Sequence, residues 1–300
     1  MVKEANAVAP QSRGDRVFDW VNYGLLGIIL LVVIYPLIFV LSASISDPQA
    51  VNSGKMWLWP MNITFLGYER IFMNKEILTG YLNTIMYTLL GTSINLVLTV
   101  LAAYPLSRRD LAGKNVVMAL FVFTMFFSGG LIPSYLLVKN LGMLNTVWAL
   151  VIPGAVSIWN IIIMRTFFQQ SIPHEIQEAA EIDGVTDFQL LLKIILPLSM
   201  PILAVMTLFY SVGHWNSYFS ALIYLTDHHK FPLQLVLREI LVQNQMEEMA
   251  GSSTAMTDQI LLAQTIKYAV IIVANLPVLM LYPLIQKHFT KGIMVGALKG

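Results

Sequence analysis

The sequence predicts an all-α integral membrane protein. Six transmembrane helices are expected, with both termini cytoplasmic and a cytoplasmic helix-turn-helix between helices 4 and 5. Three observations carry this. Of 300 residues, 57% are hydrophobic and only 12% charged, against about 25% charged in an ordinary soluble domain. Six long stretches hold no Asp, Glu, Lys or Arg. The basic residues fall unevenly between the loops that join those stretches.

Residues 1–18 are polar, with Lys3, Arg13 and Arg16, and read as a cytoplasmic tail. The apolar stretch that follows is too long for the core of a cleavable signal. A bilayer core takes about 20 apolar residues of helix. The uncharged runs are 20–46, 81–107, 115–138, 140–164, 194–226 and 268–286. Together they place a six-helix transmembrane domain at 19–290, followed by a cytoplasmic tail at 291–300.

Orientation follows from Lys and Arg near the span ends. One set of loops carries Lys3, Arg13, Arg16, Arg108, Arg109, Lys114, Arg165, Lys193, Lys287, Lys291 and Lys299. The other carries Lys55, Arg70, Lys75, Lys139, Lys230, Arg238 and Lys267. The richer set belongs inside. The outer segments are then 47–80, a turn near 139–145, and a long polar loop at 227–261. Trp57 and Trp59 suit an outer interface.

The charge balance of +1 gives no sign of nucleic-acid binding, and the absence of cysteine removes disulfides, thiol catalysis and Cys-based metal sites. Membrane lipid is the expected solvent and a multi-pass cell (inner) membrane location the expected place.

The segment 171–192 breaks the apolar pattern. Pro173 and Glu175 suit the first turn of a helix. Ile172, Ile176 and Ala180 share a face, and Gly184 suits a left-handed stop. Thr186 and Gln189 have capping-box spacing, which starts a second helix running through Leu190–Leu192 to Pro197. A DNA-reading helix-turn-helix fails on chemistry. Its second helix would offer leucines and one Lys193 where Arg, Asn or Gln are needed.

The stretch "EAAEIDGVTDFQLLLKIILP" resembles the cytoplasmic EAA motif of ABC importer permeases. The matching residues here are Glu178, Ala179, Ala180, Asp183, Gly184 and Pro197. "GGLIPSYLL" at 129–137, "HWNSYFSALIYL" at 214–225 and the tail ending Lys299-Gly300 extend the likeness over nearly the whole chain. The likeness is to the carbohydrate branch, related to maltose permeases, and within it to the group handling complex or acidic oligosaccharides such as alginate or pectin fragments. The resemblance implies that 171–192 docks into a soluble ATPase and that Lys299 and Gly300 add a tail contact. It implies a second homologous permease, two ATPase subunits and an external solute-binding protein as partners. ATP and magnesium would sit on the partners, with no cofactor bound by this chain.

Carbohydrate is held by aromatic faces, amides and hydroxyls. Ser211, His214, Trp215, Asn216 and Tyr218 supply these in the fifth span and are the substrate-path candidates. On one continuous helix Ser211, Trp215 and Tyr218 share a face. Ser134, Tyr135, Trp159 and Asn160 are weaker candidates. Prolines 133, 153, 197, 201, 277 and 283 lie in or near spans and can kink them.

No catalytic residue is expected, and the chain is read as a transport subunit rather than an enzyme. It contains no G-x-S-x-G, H-E-x-x-H or phosphate-loop pattern. Ser211 with His214 lacks an orienting third group, and His228-His229 lacks further metal ligands. The alternatives are an ion-coupled secondary sugar transporter and an ABC permease for a non-carbohydrate solute. The first would need ionisable groups in the spans, where only His214 titrates. A membrane-anchored receptor leaves 171–192 without a purpose.

Overall fold

A computed structural model describes residues 12–249, 266–280 and 283, and for 181 and 243–249 the backbone only. The expectations for 1–11, 250–261 and 291–300, Lys299 and Gly300 included, lie outside the described residues. Every regular element among the described residues is helical. The chain divides into two compact units.

The first unit covers residues 1–71 and 250–272. Its long helix α1 spans Arg13–Ser44. Ser12 caps it, accepting from the Gly14 amide, while Asp15 accepts from the Ser12 amide at 2.9 Å. This reciprocal pair satisfies amides that no helical turn can reach. From Val17 to Leu41 most large apolar side chains of α1 are exposed. A helix apolar on every side needs an apolar surrounding. Two short helices follow, α2 at Pro48–Asn52 and α3 at Leu66–Met73, the last two residues of which pass into the second unit. Serines hold the chain where α1 ends. Ser42 Oγ donates to the Leu58 carbonyl at 2.7 Å and Ser46 Oγ to the Ser42 carbonyl at 2.6 Å.

The second unit is built on α4, Lys75–Ser107. Asn74 caps it through the Glu76 and Ile77 amides. Then come α5 (Lys114–Phe126), α6 (Leu131–Asn140), α7 (Val147–Val151) and α8 (Ile158–Ser171). The polar segment supplies α9 (His174–Ile182), α10 (Asp187–Leu190), a π turn at Leu191–Ile195 and α11 (Leu196–Leu198). After it run α12 (Met200–Trp215), α13 (Phe219–Tyr224) and α14 (Leu233–Met249). Helix α15, Ile266–Met280, begins in the first unit and ends in the second.

The uncharged runs are not six unbroken helices. Among the described residues, α1 and α4 are by length and composition long and apolar enough to cross a membrane, and the number is four if each of two bent pairs is one span. Run 115–138 bends by 109° between α5 and α6, at Ser128-Gly129-Gly130. Run 140–164 holds α7 and the start of α8, parted at Pro153-Gly154. In run 194–226 the axis turns by 83° at Ser199, between Pro197 and Pro201. Proline in a helix interior removes an amide and crowds the carbonyl four residues back. Pro201 is instead tolerated because it falls in the first turn of α12, where an amide would lack a helical partner anyway. The segment 227–261, expected as a loop, contains α14, whose Leu233, Leu235, Val236 and Leu237 are buried.

Broken helices leave backbone groups unpaired, and α4 supplies partners at the α7–α8 break and before α14. Asn95, fully buried, donates to the carbonyls of Gly154 and Ala155 at 2.9 and 2.8 Å. Its Oδ1 meets His214 Nε2 at 2.6 Å. Asn83 donates to the His229 and Phe231 carbonyls, Tyr87 to that of Lys230, and Thr84 Oγ1 accepts from the Leu233 amide at 2.8 Å.

Close approach at this spine rests on a missing side chain. A Cβ at Gly91 would lie 2.4 Å from His214 Nε2. Gly91→Ala gains up to about 1 kcal/mol of helix propensity but overpacks a buried site, at a cost of about 1–3 kcal/mol. The variant is expected to lose monodispersity at lower temperature than wild type on size-exclusion chromatography after heating. Gly24→Ala, with open space around it, should equal or exceed wild type.

Candidate coupling site and translocation path

Helix α9 is amphipathic. Ala180 is buried and Ile176 half-buried, in line with Ile172 just before the helix, which is buried, while Glu178 and Ala179 on the other side are exposed. The helix stops at Gly184, whose φ is +69°. The Val185 amide reaches back to the Ala180 carbonyl at 3.0 Å, the closing bond of a Schellman stop. Thr186 then starts α10. Its Oγ1 accepts from the Gln189 amide at 3.3 Å and its amide donates to Gln189 Oε1 at 3.4 Å. The expected capping box is present.

The second helix is less regular than its leucine run suggests. At 191–195 the turn widens to π geometry, with the Leu196 amide on the Leu191 carbonyl. Pro197 has no amide to offer Lys193, and a wider turn relieves that conflict.

The two helices form a wedge with an apolar base. Ile172, Ala180, Leu190, Leu191 and Ile195 share a core with Val100, Ala103 and Tyr104 of α4, Ile161, Met164 and Phe168 of α8, and Ile202, Met206 and Tyr210 of α12. The tip is open. Asp183 and Gly184 are exposed, Ile182 is 87% exposed and Phe188 62%. Ile182 and Phe188 flank the turn and escape a reading of polar residues, because each looks like part of an apolar stripe until the other side of the helix is known. Pro197 is exposed on the second helix.

Charge gathers where α4 ends beside the wedge. Arg108, with a side chain 10% exposed, grips Asp110 with two bonds: Nε to Oδ1 at 2.8 Å and Nη2 to Oδ2 at 2.9 Å. Its Nη1 reaches Asp187 Oδ1 at 2.7 Å, in the first turn of α10. The bonds to Asp110 hold the Arg108 proton more firmly than usual. The same bonds hold the Asp110 carboxyl below the usual carboxylate range. The last carbonyls of α4 also meet cations. Arg165 Nε donates to Leu106 at 2.9 Å and Lys114 Nζ to Arg108 at 2.8 Å. Positive charge at a helix C-terminus is favourable.

The path candidates separate into two groups. Ser211 and Trp215 are buried and His214 is half-buried against α4. Ser211 Oγ lies 3.3 Å from Thr92 Oγ1, and Trp215 Nε1 donates to the Ala274 carbonyl at 2.8 Å. The Tyr81 ring packs edgewise on Trp215. Each of these side chains has a protein partner. Asn216 and Tyr218 are exposed. Helix α12 ends at Trp215, so Tyr218 does not continue the Ser211–Trp215 face. It precedes α13, and the Arg238 guanidinium lies over its ring at 5.2 Å.

Of the weaker candidates, Asn160 is buried and Trp159 exposed. Tyr135 stacks on Tyr224, with ring centroids 6.2 Å apart. Ser134 and Tyr224 line a cavity of about 370 Å³ together with Ser128, Pro153, Phe219 and Ser220. Among the described residues no group of three or more His, Cys, Asp or Glu is placed to hold a metal ion.

Residues 95–295 match the family described as the binding-protein-dependent transport system inner membrane component. The chain belongs to this family. It is a multi-pass inner-membrane permease of the ABC transporter class. It is 44% identical to the polygalacturonan/rhamnogalacturonan transport system permease protein YtcP of Bacillus subtilis, over 95% of this chain and 99% of that one. It is 39% identical to the protein LplC of the same organism, over 96% and 97%. Among solved structures it resembles a chain of a bacterial ABC transporter involved in the import of the acidic polysaccharide alginate. That match has a TM-score of 0.83 and 37% identity over 93% of this chain and 99% of the other. The wedge and the path residues of this permease all lie inside the family-matched segment.

The placement of the fifth-span residues separates packing from exposure. Trp215→Ala in the permease removes a buried ring and orphans a carbonyl, a loss of about 3–5 kcal/mol. It is expected to lower membrane yield and thermal stability together. Asn216→Ala should leave both unchanged. Equal stability of the two variants, by thermal unfolding of the purified permease, would contradict this arrangement.

Proposed function

We propose that this permease is the transmembrane subunit of an ATP-driven importer for acidic oligosaccharides of the pectin or alginate type. The polygalacturonan/rhamnogalacturonan system and the alginate importer named above support the substrate class. The observation that carries the mechanism is the wedge. Two capped helices meet at a positive-φ glycine, rest on an apolar core and turn charged and apolar side chains outward.

On this reading the wedge faces the cytoplasm and seats a soluble ATPase. Glu178 and Asp183 meet basic groups there, Ile182 and Phe188 fill apolar hollows, and Ala179 permits close approach. Two ATPases need two wedges, so a second homologous permease completes the membrane part. ATP and magnesium belong to the ATPases. Both termini lie on the ATPase side, and Lys299-Gly300 adds a contact there. An external binding protein delivers the sugar to the opposite face, where 227–261 receives it. Asn216 and Tyr218 are the exposed members of the path set, and Ser211, His214 and Trp215 shape the wall behind them.

The test is reconstitution of the heteromeric complex in vesicles with its binding protein and labelled oligogalacturonate. Uptake that requires ATP and the binding protein is expected. Uptake driven by a proton or sodium gradient without ATPase would overturn the reading.

Within that complex, Glu178→Ala should weaken ATPase attachment by about 2–5 kcal/mol if its partner is left buried and unpaired. The loss should change with salt, as charge contacts do. Ile182→Ala should weaken attachment with little salt dependence. Pull-down of the ATPase across a salt series reads both. Identical salt slopes would contradict the division of roles.

A further inference from the structure

The wedge joins the bundle covalently at only two places, α8 through Ile172-Pro173 and α12 through Ser199, where the axis turns by 83°. It has no covalent link to α4, the helix that bonds the α7–α8 break. The shared apolar core resists separation, but hydrophobic contact is non-directional and permits sliding. Among the described residues, a directional bond crosses the gap. Arg108, the residue after α4, binds Asp187 at 2.7 Å.

We propose that Arg108 is a strut that fixes the first turn of α10 to the end of α4, so that displacement of the wedge reaches the spans through α4. The inference rests on the reading of the wedge as the ATPase seat. Three features support it. The guanidinium uses two different edges at once: Nε and Nη2 hold Asp110, and Nη1 holds Asp187. Its plane is therefore set before Asp187 arrives, and Tyr104 Oη at 3.4 Å lies on the same nitrogen as Asp187. Arg165 and Gln169 of α8 donate to the carbonyls of Leu106 and Ser107, which anchors the root of the strut. Both carboxylates are mostly exposed, with side chains 65% and 71% open. Their removal is therefore not a packing change. An arginine fork can serve two carboxylates in fixed directions, whereas a lysine is a point charge.

Arg108 is thus a positioning residue, and its signature is the number of sugars imported per ATP hydrolysed. In the reconstituted complex, Arg108→Gln and Asp187→Asn should leave ATPase co-purification and basal hydrolysis as in wild type. Substitutions along a coupling network shift coupling roughly 2- to 30-fold, and a fall of that size in sugar imported per ATP is expected. Arg108→Lys should fall with them, because charge without the fork does not hold two directions. Asp187→Asn guards against misfolding of the Arg108 variants, since its side chain is exposed.

Wild-type sugar per ATP in Arg108→Gln and Asp187→Asn would overturn the proposal while leaving the wedge reading intact. Full rescue by Arg108→Lys would overturn the geometric strut. A parallel fall of hydrolysis, import and complex yield would assign the cluster a merely structural role. Failure of the wedge reading shows separately, as ATPase attachment unaffected by Glu178→Ala and Ile182→Ala.

Discussion

A helix broken inside an apolar surrounding must hand its freed backbone groups to another part of the protein, because lipid offers no hydrogen bonds. In this permease α4 meets that demand. Asn95 takes the two carbonyls at the α7–α8 break, Asn83 and Tyr87 take the carbonyls before α14, and Thr84 takes the first amide of α14. Each bond is worth about 1 kcal/mol net, but leaving its partner buried and unpaired would cost about 1–3 kcal/mol. Polar side chains along one face of α4 therefore permit the α7–α8 break and the irregular backbone before α14.

The same helix ends in a cluster of charge that borders the wedge. There the demand is reversed. The final carbonyls of α4 attract Arg165 and Lys114, and Arg108 extends beyond them to the first turn of α10. Apolar packing of Ile172, Ala180, Leu190, Leu191 and Ile195 gives the wedge its seat, and the ion pair gives it direction. A seat and a direction together suit a part that receives a push and passes it on. The exposed Ile182 and Phe188 lie on the side away from that seat, where a partner surface can reach them.

Much of the wedge is legible in the sequence because its signals are local. Gly184 follows a short amphipathic stretch, and Thr186 stands three residues before Gln189, so a stop and a start can be read within a few residues. The apolar runs likewise identify what lies in lipid. The breaks within those runs are harder to read. Proline and glycine mark places where a helix can break, but a break also needs a partner for the freed groups, and Asn95 lies about 60 residues from the carbonyls it serves. Trp215 shows the same difficulty in reverse. An aromatic near an amide suggests a sugar platform, yet its indole is spent on the Ala274 carbonyl and its ring on Tyr81. Helix α14 was hidden by the polar residues after it, although its buried side chains belong to the α4 spine.

On this reading the wedge and α4 move as one body. The chain contains no cysteine, so spin labels can be placed at two chosen positions alone. Arg109→Cys marks the end of α4 and Lys193→Cys the second helix of the wedge, both exposed. The measurement is the distance between these labels by double electron–electron resonance, in the assembled transporter without nucleotide and with ATP trapped. One narrow distribution, unchanged between the two states, is expected. A second distance appearing with ATP would mean that the wedge slides on α4 and that the two are not one body.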